Sequence, residues 1–94
     1  MPDIDITRRH SLGRDGARRA ADAVAARLRD EYRVRSEWDG DQLRVSGRGI
    51  RGELTLDEAA VRVTASLGLI ARPFRNQLRQ EIEKELDRSL SQPA

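Results

Sequence analysis

The spacing of apolar residues changes along the chain, and each change marks an element. From Asp3 to Arg8, Ile4 and Ile6 alternate with Asp5 and Thr7, the pattern of a half-buried strand. Ala17, Ala20, Ala21, Val24, Ala25, Leu28 and Tyr32 then recur at steps of three and four, with Arg18, Arg19, Asp22 and Arg29 largely outside their stripe. That spacing predicts a helix, starting between Ser11 and Asp15, both good capping types. Its alanine-rich stripe lets it lie close to whatever it covers.

From Val34 the period becomes two. Val34, Ser36 and Trp38 share one face, and Arg33, Arg35, Glu37 and Asp39 share the other. Asp39-Gly40 signals a hairpin turn of type I′. Leu43 and Val45 alternate with Arg44 and Ser46; after Gly47-Arg48-Gly49, Ile50, Leu54 and Leu56 alternate with Arg51, Glu53 and Thr55. A connector, Asp57 to Ala60, leads to Val61, Val63, Ala65 and Leu67 against Arg62, Thr64 and Ser66. Four antiparallel strands in a meander are predicted, with one apolar and one polar face.

Gly68 ends the last strand and Pro73 suits the first turn of a helix. Phe74, Leu78, Ile82, Leu86 and Leu90 recur every fourth residue on that helix. The expected fold is α+β, two layers in the order β-α-β-β-β-β-α, with both helices on one face of the sheet. It is one domain over 1–94, with an ordered core of about residues 3–90 and a frayed tail at 91–94. The first strand has three open placements: an edge, a partner of the last strand, or an exchange between subunits.

Composition narrows the chemistry. Ninety-four residues allow one core, and the lack of cysteine excludes disulfides, Cys-based zinc sites and thiol nucleophiles. Eighteen basic and sixteen acidic residues leave a net charge of +2, so the chain is no polycation, although 17 of the 18 basic residues are arginine. No apolar run approaches the roughly 20 residues that span a bilayer. Thr7-Arg8-Arg9 faintly resembles a twin-arginine export signal, but charged residues follow it where an apolar region is needed. A cytoplasmic location is expected.

Three motifs fail on context. Gly47 to Gly52 matches G-x-G-x-x-G, which holds a dinucleotide only where a helix follows; here Glu53-Leu54-Thr55-Leu56 alternates as a strand. His10 beside Ser11 lacks an orienting acid, and a single histidine makes no usual zinc set, so a capping or packing pair is the plainer reading. Asp39-Gly40-Asp41 has Ile50 where a calcium loop needs glutamate. No catalytic residue, metal or cofactor is expected.

The arginines say more. Arg72, Arg75 and Arg79 line the first turns of the last helix, and Glu81, Glu83, Glu85 and Asp87 crowd its second half. The helix dipole favours the reverse, so these arginines are either anion-binding or a solvated face with an Arg79–Glu83 pair. Arg33, Arg35, Arg44, Arg51 and Arg62 form a second set on the polar sheet face, able to follow a nucleic-acid backbone without reading sequence. Base stacking would need aromatics there, whereas Tyr32, Trp38 and Phe74 fall on or near core stripes. The apolar run Leu67-Gly68-Leu69-Ile70-Ala71 precedes Arg72-Pro73-Phe74. It suits docking on a lipid-like or polyester surface, or Leu67, Ile70 and Phe74 simply close the core.

Taken in order, several short motifs resemble the polyhydroxyalkanoic acid system family. They are Arg8-x-His10-Ser11-Leu12, the alanine- and arginine-rich helix, Trp38-x-Gly40-Asp41, Gly49 to Gly52, and Leu67 to Phe74. The resemblance runs from about Ile4 to Leu90. It implies a bacterial protein linked to storage-polyester granules, at their surface or in their regulation, and carries no catalytic residue. The first expectation is therefore a non-catalytic domain whose partner is the granule or its proteins, with Leu69, Ile70, Arg72, Phe74, Arg75 and Arg79 as its surface. The alternatives are electrostatic binding of RNA or DNA through the sheet arginines, and carriage of a small hydrophobic ligand such as a hydroxyacyl chain.

Overall fold

Two-residue turns join neighbouring antiparallel strands wherever glycine supplies positive φ, and this chain uses two of them. The computed structural model describes residues 1–91. Its elements are β1 (Ile4–Arg9), α1 (Gly13–Tyr32), β2 (Arg35–Asp39), β3 (Gln42–Gly47), β4 (Ile50–Leu56), β5 (Ala60–Leu67), a 3-10 turn (Arg72–Phe74) and α2 (Arg75–Leu90). The sheet is antiparallel throughout in the order β1-β5-β4-β3-β2. The α+β class and the β-α-β-β-β-β-α order are those the hydrophobic pattern predicts. β1 pairs with β5, Ile4 facing Ala65 and Arg9 facing Ala60, and so forms an edge of the sheet.

The core lies between the helices and the inner face of the sheet. Ile4, Ile6, Leu43, Val45, Ile50, Leu54, Leu56, Val61, Val63 and Leu67 are buried from the sheet side. The whole alanine-rich stripe of α1 from Ala17 to Leu28 is buried against them. α1 lies over β2, β4 and β5, α2 over β1, and the helices pack against each other.

Local details depart from the pattern. α1 begins at Gly13 with Leu12 as its N-cap residue and no side-chain cap from Ser11 or Asp15. His10 braces the entry instead: its Nδ1 accepts a hydrogen bond from the Leu12 backbone N–H at 3.1 Å. The first hairpin turns on Gly40-Asp41, one residue later than expected, with positive φ at Gly40 only. The second turns on Arg48-Gly49, both at positive φ (55° and 80°), which is what a type I′ turn requires. Gly52 sits in regular register between Val45 and Ala65. A strand, not a helix, follows this glycine-rich stretch. Positions 92–94 of the expected tail lie outside the described residues, while Ser91 still donates its N–H to Asp87 O at 3.1 Å.

Candidate functional site

Several elements end together where β3 turns into β4. The registers Gly47–Ile50 and Ile50–Leu67 bring the Arg48-Gly49 turn alongside the exit of β5. There the Gly68 N–H donates to Gly49 O at 2.8 Å. Gly68 O then accepts from the N–H groups of Ala71 (3.1 Å) and Arg72 (3.0 Å). This tight fold buries Ala71 and turns its predecessors outward. Leu69 is 83% exposed, Ile70 81% and Phe74 50%. Of the three residues that were to close the core, only Leu67 does so.

Phe74 misses the core because it precedes α2, in the 3-10 turn that Pro73 opens. α2 proper buries Leu78, Ile82 and Leu86. Its first turn contains no acidic residue and no side-chain cap, so the positive end of its dipole is unopposed. Arg72, Arg75 and Arg79 are all exposed around it. Arg79 reaches Glu83 at 3.3 Å, the expected intrahelical pair. Arg72 and Arg75 form no ion pair among the described residues.

The acidic second half of α2 has a partner on the sheet. Arg8 shares the inward parity of Ile4 and Ile6, and at the edge of the core it meets Glu83 (2.8 Å) and Asp87 (2.9 Å). These carboxylates hold the Arg8 guanidinium even more firmly protonated than usual, Asp87 contributing most. The signal was available in the sequence: an arginine on the apolar face of β1 needs carboxylates on the helix that covers it.

Next to the exposed connection runs a groove of about 400 Å³. Ile50, Ile70, Ala71, Phe74 and Leu78 supply apolar walls. Its remaining lining is Glu31, Tyr32, Arg33 and Arg48, from the end of α1 and the β3–β4 turn. Arg33 is not on the polar sheet face. It follows α1 in the left-handed conformation (φ 57°, ψ 38°), donating its N–H to Arg29 O at 3.0 Å, and β2 starts only at Arg35. Arg33 and Arg48 are the two non-glycine residues with positive φ among those described, and both line this groove. The Tyr32 hydroxyl is buried without a well-formed hydrogen bond. Burial first, then the neighbouring Glu81 carboxylate, push its pKa to about 12. Glu31 is tied to Arg27 at 3.1 Å. Contact with Glu81 raises the Glu31 pKa, with Arg27 opposing.

The polar sheet face is more self-neutralised than its arginine count suggests. Arg62 grips Asp5 through two hydrogen bonds (2.8 and 3.1 Å), and Arg44 meets Asp39 at 3.1 Å. Arg35 and Arg51 of this face, with Arg9 at the end of β1, lack an ion pair among the described residues; Ser46 lies between Arg35 and Arg51 in the register. The face has no aromatic. Trp38 lies on the helix side, half-buried, with Arg18 4.0 Å above its ring and its Nε1 donating to Asp22 at 2.9 Å.

The fold and this end of it define a two-layer α+β domain with a basic-rimmed apolar groove beside an exposed apolar connection. No helix among the described residues is long and apolar enough to cross a membrane. Residues 4–90 match the family model described as "Putative polyhydroxyalkanoic acid system protein", and the chain belongs to that family. No curated protein and no solved structure matches the chain at a significant level.

Proposed function

We propose that the protein is a non-catalytic cytoplasmic domain that docks on the surface of storage-polyester granules through the Leu69–Arg75 connection. The family supplies the polyester. The observation that carries the docking is the exposure of Leu69 and Ile70 at 83% and 81%, on a connection whose Arg72 and Arg75 have no ion pair among the described residues. Among the described residues, the exposed large apolar ones apart from Met1 all lie in this connection. Full burial of a Leu, Ile or Phe side chain yields about 1.5–3 kcal/mol, so covering the three offsets several kcal/mol of orientation cost. Arginines flanking such a patch hold it against a surface that displays ester and acidic oxygens.

Co-sedimentation with purified granules tests this. The wild type is expected to pellet, and Leu69→Ser/Ile70→Ser and Arg72→Glu/Arg75→Glu to remain largely in the supernatant. Arg79→Glu is expected to do less, since Arg79 already serves Glu83. Equal pelleting of wild type and both double variants refutes the surface.

A further inference from the structure

The groove beside the docking connection has features that surface docking does not use. Two of its walls are arginines held in the left-handed backbone conformation, Arg33 at φ 57° and Arg48 at φ 55°. Glycine or asparagine takes that conformation at lower cost, and each position is one where they are favoured: the residue after a helix and the first residue of a type I′ turn. Strained residues gather where a side chain is needed for function. Neither arginine has an ion pair or side-chain hydrogen bond among the described residues that would explain its retention.

We propose that this groove binds a single-chain acyl carboxylate, the anionic head between Arg33 and Arg48 and the chain along Ile50, Ile70, Phe74 and Leu78. The volume of about 400 Å³ falls within the range of about 300–1,000 Å³ typical of small-molecule sites. Charge selects the head group. Arg33 and Arg48 share the lining with one carboxylate, Glu31, which is committed to Arg27 at 3.1 Å, so both guanidiniums are left to meet an anion. The Tyr32 hydroxyl, buried beside Glu81, is not open to the ligand, so Tyr32 contributes only its ring. The guanidinium fork fits a carboxylate in a planar, two-bond contact.

The site shares Ile70 and Phe74 with the docking connection but takes a soluble small molecule, so it is tested on the free protein. The experiment is a titration of the free protein, without granules, by decanoate below its micelle concentration, followed by amide chemical shifts. Saturable shifts are expected at 31–33, 47–50 and 69–78. Decanol is expected to bind at least tenfold more weakly than decanoate, and decyl phosphate no more tightly than decanoate. Arg33→Gly and Arg48→Asn should each weaken decanoate at least tenfold while remaining folded, because both replacements suit the backbone they enter. No saturable shift with decanoate overturns the site. Equal binding of decanol, or unchanged affinity in both arginine variants, overturns the carboxylate assignment. Tighter binding of decyl phosphate does the same. Loss of granule pelleting in the Arg72→Glu/Arg75→Glu variant with decanoate binding intact separates the two surfaces.

Discussion

Replacing Arg33 by glycine should make the protein more stable, and the size of the gain follows from one torsion angle. Arg33 occupies the position after α1 at φ 57° and ψ 38°, closing the helix by donating its N–H to Arg29 O. An L-residue there pays about 1–2 kcal/mol relative to the right-handed conformation. Glycine avoids that cost but gives back about 0.5–1 kcal/mol through its freer unfolded chain. The net gain expected is about 0.5–1 kcal/mol, or roughly 2–8 °C in Tm for a domain of this size. Arg33→Ala is the control, since it removes the same side chain and keeps the strained torsion. Urea denaturation followed by circular dichroism compares the two. With m of about 1–3 kcal/mol/M, the glycine midpoint should exceed the alanine midpoint by roughly 0.2–1 M. A glycine variant no more stable than the alanine variant would show that the torsion stores no strain. It would also remove the reason for reading Arg33 as retained for its side chain.

Gly16→Ala runs the other way. Alanine gains about 1 kcal/mol in helix propensity, but here a Cβ would lie 2.3 Å from Leu12 Cβ. A net loss of about 1–3 kcal/mol is expected, read as a lower urea midpoint; a gain would mean the entry to α1 shifts freely. Acid should destabilise the protein through Asp5 and Asp57. Hydrogen bonds from Arg62 lower the Asp5 pKa, and the backbone N–H groups of Ala59 and Ala60 lower that of Asp57. Both favour the fold while ionised, so their contribution is complete above the unfolded value of about 3.9 and is lost as pH falls through the lower folded values. Urea midpoints measured from pH 6 to pH 2 should drop less steeply in Asp5→Asn/Asp57→Asn than in wild type. Parallel curves would contradict the assignment.

Alternation and helical stripes were enough to recover the elements, their order and nearly all of the core, because one buried face per element dictates those periods. The misses have identifiable causes. A stripe stepping every fourth residue advances about 40° per step on an α-helix, so the run from Phe74 to Leu90 cannot stay on one face. Its middle members, Leu78, Ile82 and Leu86, are buried, whereas Phe74 is half exposed and Leu90 only partly buried. Read back to Arg33, the period of two runs two residues beyond the start of β2 and puts on the sheet face a residue that closes α1. Pairing of β1 was open because an edge strand is placed by tertiary contacts. The groove was invisible for a similar reason: Arg33, Arg48, Ile70 and Leu78 come from four separate segments and meet only at the end of the fold.

The small net charge conceals a division between the two ends of the molecule. Asp39 precedes the β2–β3 turn and Asp41 lies in it, and Asp57 and Glu58 lie in the β4–β5 connection, at the end opposite Arg33, Arg48, Arg72 and Arg75. The acids are largely committed: Asp39 to Arg44, Asp41 to Arg14, Asp57 to its own turn. The four arginines form no ion pair among the described residues. An arginine already paired must break that pair to serve a partner, whereas an uncommitted one gives up only water. The end whose arginines are uncommitted is therefore also the one that exposes Leu69, Ile70 and Phe74. On the proposed docking, such a charge division would orient the domain as it approaches the granule surface, bringing the apolar connection to the contact first.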